Sequence, residues 1–231
     1  MTSSVRAATV AVRVWDLPTR AFHWLLTACV IGSVASAQIG GNAMTWHFRF
    51  GFTICTLLAF RLLWGLVGGR WSRFASFVPT PARIGRYLRG QPLPGEQLDV
   101  GHNPLGSLSV LALIAMLIAQ VATGLVADDE IATVGPLNRF VSGATAALAT
   151  SWHALWGKAI LIALVLLHVG AILYYRWQRQ IHLTWPMVSG DKALPPGTPA
   201  SADSGRTRLL ALVLLLACAA ATRWLVGLGG D

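Results

Sequence analysis

Residues 152–175 read WHALWGKAILIALVLLHVGAILYY. Apart from His153, Lys158 and His168 the run is apolar on every face. It is too long for a strand, and as a helix it is long enough to cross a hydrocarbon core of about 30 Å. A helix that is apolar all round belongs in lipid or in the core of a large protein, and 231 residues cannot enclose such a core. Working outward, four more runs read the same way: Ala21–Ile39, His47–Val67, Leu105–Val126 and Leu209–Leu228. The expected fold class is an all-α integral membrane protein.

Composition agrees. Hydrophobic residues make up 55% of the chain and charged residues 12%, against about 25% charged in an ordinary soluble domain, and the mean hydropathy is +0.59. This excludes a soluble enzyme, a disordered chain and a disulfide scaffold. Cys29, Cys55 and Cys218 each lie in an apolar run and none forms a CxxC pair, which excludes c-type haem attachment, a zinc ribbon and a cysteine-held iron–sulfur cluster.

The boundaries carry helix signals. Asp16 with Pro18 can open the first span, Asn103 before Pro104 the third, and Ser151 the fourth. A Pro/Gly/Ser/Ala-rich stretch within Ser189–Ser204 reads as a flexible linker. Residues 1–192 are thus expected to form the main membrane domain, 193–206 a linker and 207–231 an added C-terminal span. Ala35-Ser36-Ala37 imitates a signal-peptide cleavage site, but the polar region before it is too long for one.

The net charge of +9 would suggest a nucleic-acid partner in a soluble chain. Here it sorts by loop. Arg6, Arg13 and Arg20 precede the first span; Arg61, Arg70, Arg73, Arg83, Arg86 and Arg89 lie at or after the end of the second; Arg176, Arg179, Lys192, Arg206 and Arg208 lie between the fourth and fifth. Only Arg49, Arg139, Lys158 and Arg223 fall on the other side, with the acids Asp128, Asp129 and Glu130. Of 18 basic residues, 14 lie on one side. The positive-inside rule places the N-terminus in the cytoplasm and, with five spans, the C-terminus outside. The expected location is a bacterial inner membrane, and no nucleic-acid partner is expected.

The same orientation gives four histidines a depth. Ionisable groups within spans are costly and default to function. His23 and His168 lie near the inner surface, His47 and His153 near the outer one. His153 and His168 are 15 residues apart, on one helix face and about 22 Å apart along the axis. The fourth helix can therefore offer one ligand to each of two stacked sites, completed by His23 inside and His47 outside. Two imidazoles in an apolar bundle suit bis-histidine haem b; zinc or copper would need more ligands. The expected cofactor is two haems b per chain.

Arg20, Arg49 and Lys158 are candidate counter-charges for haem propionates, although Arg49 and Lys158 read equally well as residues snorkelling to the headgroups. His102, before the Asn103–Pro104 cap, is a candidate contact for a quinone headgroup or an inner propionate. His182 reads as a solvated surface residue. The ten tryptophans cluster near span ends, as an aromatic belt does.

WDLPTRAFHWL at 15–25, FRLLWGLVG at 60–68, GHNPLG at 101–106, the WH…LH pair of the fourth span and WPMVSGDK at 185–192 resemble the bacterial cytochrome b561 family, which includes the b-type cytochrome subunits of nickel–iron hydrogenases. The resemblance covers about residues 10–192. It implies a four-helix transmembrane bundle holding two haems, with His23 and His168 on the inner iron and His47 and His153 on the outer. It also implies electron transfer between the quinone pool and a redox partner such as a cytochrome c or a hydrogenase. The fifth span is a departure from the four-helix core. Its Ala217, Ala219, Ala220, Ala221 and Gly227 suit close packing, as a homodimer or a partner anchor would need.

No phosphate loop or nucleophile–base pair is visible. His102 inside and Asp128, Asp129 or Glu130 outside are candidate bases for a quinone site. The rival readings are a cofactor-free membrane anchor or assembly subunit, a proton-relaying transporter and a superoxide-to-quinone oxidoreductase.

Overall fold

The computed structural model describes residues 8–230; Arg6 of the basic set lies outside them. Strand β1 (Val10–Arg13) leads into α1 (Leu17–Ile39). The Asp16 side chain caps α1 by accepting from Thr19 N, with Pro18 in the first turn. Gly40 and Gly41 take left-handed φ of 68° and 53°, which only glycine adopts at low cost, and so turn the chain tightly into α2 (Met44–Val67). Short helices α3 (Phe74–Phe77) and α4 (Pro81–Arg89) follow. Helix α5 (Pro104–Val126) starts at Asn103, whose side chain accepts from Gly106 N at 2.7 Å.

The fourth span differs from expectation. It runs as one 36-residue helical segment, Gly143–Gln178: α6 (Gly143–Ser151), a π-helical turn at Trp152–Gly157, then α7 (Lys158–Gln178). Ser142, not Ser151, caps it, accepting from Thr145 N at 3.2 Å. The Ala-rich stretch GATAALATS has helix propensity enough to extend the helix backwards, and Ser151 is left inside it.

Helix α8 (Thr184–Ser189) and strand β2 (Asp191–Leu194) follow, then α9 (Gly205–Gly227). Strand β2 pairs antiparallel with β1, Arg13 opposite Asp191. The 193–206 segment is held rather than hanging free. Ser201 donates to Val14 O at 2.8 Å and accepts from Trp71 N, Trp71 Nε1 donates to Pro199 O, and Asp203 accepts from Leu17 N. The ribbon escapes a reading by periodicity because each strand has four residues.

Among the described residues, five helices are long and apolar enough to cross a membrane. The core joins α1, α2, α5 and α7 through Cys29, Ile54, Leu58, Ile114, Leu117 and Leu161. Helix α9 packs on α2 and α1 through Ala211 and Cys218, which meet Phe22, Leu57, Phe60 and Trp64. Its buried residues Ala211, Cys218 and Thr222 recur at helical spacing. Ala217, Ala219, Ala220, Ala221 and Gly227 lie off this stripe and are exposed in the single chain.

Candidate functional site

The two ends of the bundle differ in charge: α1 begins and α7 ends at an Arg-rich end, and α2 begins at an Arg-poor end. Helix α7 packs on α5, and the histidines of α1 and α2 reach toward it from the other side.

At the Arg-poor end, His47 from the first turn of α2 and His153 from the π turn face each other. Their ring centroids are 5.8 Å apart and their planes 87° apart. Metal–imidazole bonds of about 2 Å on each side, plus the depth of the rings, match that separation. Both rings are oriented through Nδ1, that of His47 on Ser33 O at 3.0 Å and that of His153 on Gln120 O at 2.8 Å. A carbonyl only accepts, so Nδ1 carries the proton and Nε2 is left as a free lone pair, the tautomer a metal ligand needs. A π turn displaces carbonyls from their usual partners, and Gln120 Nε2 donates to His153 O at 3.2 Å. Gly157 makes this approach possible, since a Cβ there would run into the Gln120 side chain.

The two rings line a cavity of about 400 Å³, walled by Val30, Gly51, Leu117, Gly124 and Leu161 among others. A Cβ on Gly51 would meet nothing within 4 Å, whereas one on Gly124 would come within 2.7 Å of His153 Cε1. A cavity with two glycines in its walls and two imidazoles that each keep a free Nε2 offers the room and the donor set for a porphyrin iron. Lys158 stands in the lining. Arg49 does not: it is exposed and stacks over Trp46 at 4.8 Å.

The π turn also alters the axial arithmetic. It absorbs one extra residue, so His153 and His168 are separated by about 14 α-helical steps, roughly 21 Å and roughly 40° in rotation. Both still address one face.

At the Arg-rich end, His23 lies two turns into α1 and packs edge-on to Trp24, at 4.9 Å. His23, His168 and His102 are electrostatic neighbours. His102 is not a surface residue: it is clasped between Trp15 at 4.6 Å and Phe77 at 4.8 Å. Burial, then the charges of Arg61 and Lys192, push its pKa down to about 3, so it is neutral at physiological pH. Arg20 donates to Val188 O at 2.5 Å, and Trp24 Nε1 to Met187 O at 2.9 Å, which fixes α8 over this end. His182 is exposed beside Arg176.

The model of the prokaryotic cytochrome b561 family matches residues 14–190. The chain belongs to this family. The match holds all four span histidines and ends before α9. A relative from Escherichia coli K12, a probable Ni/Fe-hydrogenase 1 B-type cytochrome subunit, is 26% identical over 190 residues, covering 68% of this chain and 80% of its own length. Its counterpart in Escherichia coli O157:H7 matches to the same extent. The protein is a multi-pass membrane protein of electron transfer, and membership of a b-type cytochrome family implies haem b.

Within this b561-family chain several site residues carry little sequence signal. Asp16 reads as a helix cap, but it is fully buried and gathers four donors: Thr19 N at 2.8 Å, Ser72 Oγ at 2.9 Å, Gly69 N at 3.0 Å and Trp64 Nε1 at 3.3 Å. It ties the start of α1 to the end of α2. Ser33 meets His47 Nδ1 through its backbone carbonyl at 3.0 Å and its hydroxyl at 3.1 Å, one small polar residue within an apolar span; Gln120, an amide within another, is the clearer clue. The acids at the Arg-poor end turn out to shape their loop. Asp129 Oδ1 accepts from the amides of Ile131, Ala132 and Thr133 at 3.0, 2.9 and 2.8 Å. With the Thr133 hydroxyl these hold its carboxyl well below the usual carboxylate range, which makes it a poor base.

Proposed function

We propose that this chain carries electrons across the bacterial inner membrane through two bis-histidine b haems, between the quinone pool and a redox partner outside. His47 and His153 hold one haem and His23 and His168 the other. The observation that carries the reading is the His47–His153 pair, 5.8 Å apart in a cavity lined by Gly51 and Gly124, with each Nδ1 on a backbone carbonyl. Each haem, when bound, supplies a one-electron ferric–ferrous couple whose potential the protein tunes.

The chain's own contribution is position and dielectric. The carbonyls of Ser33 and Gln120 keep both Nε2 atoms deprotonated and the rings fixed. The π turn and α7 set the spacing of the two sites. Apolar walls from α1, α2 and α5 exclude water. Lys158, in the cavity lining, supplies a positive charge to a propionate. The 14 basic residues at one end support an N-terminus in the cytoplasm and a C-terminus outside. The kinship with a probable Ni/Fe-hydrogenase cytochrome subunit of Escherichia coli favours a hydrogenase as partner. In this reading residues 1–192 are the di-haem domain and α9 is an addition to it.

A reduced-minus-oxidised visible spectrum of the purified protein, with a haem-to-protein ratio, tests the proposal. The expected result is a b-type α-band and two haems per chain. Colourless protein would overturn it in favour of a cofactor-free anchor.

A further inference from the structure

We propose that Arg61, with His102 packed on the same Phe77 ring, binds the propionate carboxylates of the haem held by His23 and His168; this rests on the two-haem reading above. Arg61 is 2% exposed. Its guanidinium lies over Phe74 at 4.9 Å and Phe77 at 5.8 Å, and Nη1 is buried without an acceptor. A guanidinium stays charged, and a buried charge without a counter-ion is strongly unfavourable.

The nearest protein anion does not supply the missing acceptor. Asp16 lies within electrostatic reach of Arg61, yet its oxygens already take Thr19 N, Gly69 N, Ser72 Oγ and Trp64 Nε1. Lys192, the other cation here, spends its donors on the carbonyls of Asp99, Val100 and Gly101. His102, which packs on the same Phe77 ring at 4.8 Å, holds a second buried polar atom without a partner, Nδ1. Arg20 Nε is a third, on the helix that carries His23. Arg61 lies 14 residues after His47 on α2, about 21 Å along the axis, and Arg20 three residues before His23 on α1, which puts these nitrogens at the depth of the His23–His168 pair. A guanidinium with an open N–H is a carboxylate site, and a haem brings two carboxylates.

The test uses the full chain, wild type, Arg61→Gln and Arg61→Lys, with haem content and potentiometric titration of both α-bands. Removing a positive charge beside a haem favours its oxidised form. The expected result for Arg61→Gln is a fall in one midpoint potential, or loss of that haem alone, with the other haem unmoved. Arg61→Lys is expected to show a smaller fall. In a His153→Ala background, which leaves the His23–His168 site, the shift is expected to persist; in a His23→Ala background it is expected to vanish. Two haems with both potentials unmoved in Arg61→Gln, or a shift confined to the His47–His153 haem, would overturn the assignment while leaving the two-haem reading intact; wild type without haem would overturn that reading itself. If Arg61→Gln does not accumulate, Arg61→Lys decides through the resonance Raman propionate bands. A displacement for one haem supports the site, and identical bands refute it.

Discussion

The imidazoles of His47 and His153 stand perpendicular to each other, their centroids 5.8 Å apart and their planes 87° apart. One comes from the start of α2 and the other from a π turn between α6 and α7, so two distant segments converge on one centre. Perpendicular rings arise because each is tethered by its own carbonyl, on α1 for His47 and on α5 for His153.

The first prediction concerns those ligands. His47→Ala or His153→Ala removes one of two imidazoles from one iron. Each variant is expected to lose about half its haem and to keep a low-spin b-type spectrum from the other. A pyridine haemochrome assay against protein concentration measures this. An unchanged ratio in both variants would refute the pairing.

The second concerns the cavity. A Cβ on Gly124 would press on His153 at 2.7 Å, whereas Gly51 faces open space within the cavity lining. Gly51→Ala is therefore tolerated by the protein alone, while Gly51→Leu fills volume meant for the macrocycle. The expected outcome is that Gly51→Leu folds with one haem and Gly51→Ala retains both or binds one more weakly, as read by haem stoichiometry and circular dichroism.

The third concerns Asp16. Truncating it to Ala leaves four buried donors unpaired: two amides, an indole and a hydroxyl. Unpairing groups around a buried charge costs roughly 3 kcal/mol or more. Asp16→Ala is expected to lower the thermal midpoint in detergent markedly, and Asp16→Asn less, since its amide oxygen still accepts from Thr19 N. Equal melting of wild type and Asp16→Ala would contradict the hub.

Much of this architecture is legible from the sequence for physical reasons. Lipid demands long apolar helices, so four of the five spans emerge within a few residues of their observed bounds. The depth of a histidine follows from loop charge. What escapes are features that rest on backbone or on distant pairing: the carbonyls of Ser33 and Gln120, the β1–β2 ribbon and the π turn that shifts His153 against His168. Arg61 is hidden for another reason. At a span end it reads as a topology signal, and only its burial against Phe74 and Phe77 separates it from the solvated arginines around it.

The last prediction concerns pH at the Arg-rich end. Glu96 accepts from Arg86 Nη2 at 2.7 Å and Nε at 3.0 Å and from Leu93 N at 3.1 Å, and these bonds push its pKa down to about 2. A carboxyl whose folded pKa is depressed lends stability that is fully present above its ordinary value, near 4.5, and that is lost as pH falls through about 2. The contact between α4 and the 90–97 loop should therefore survive mild acid. A carbon-13 NMR titration of the Glu96 carboxyl in micelles is expected to give a midpoint near 2. Arg86→Ala, which removes the largest cause, should bring that midpoint back toward the ordinary range, with Arg83 at 3.7 Å retaining a small part of the shift. A wild-type midpoint near 4.5 would mean that the Arg86–Glu96 fork does not hold this loop in solution.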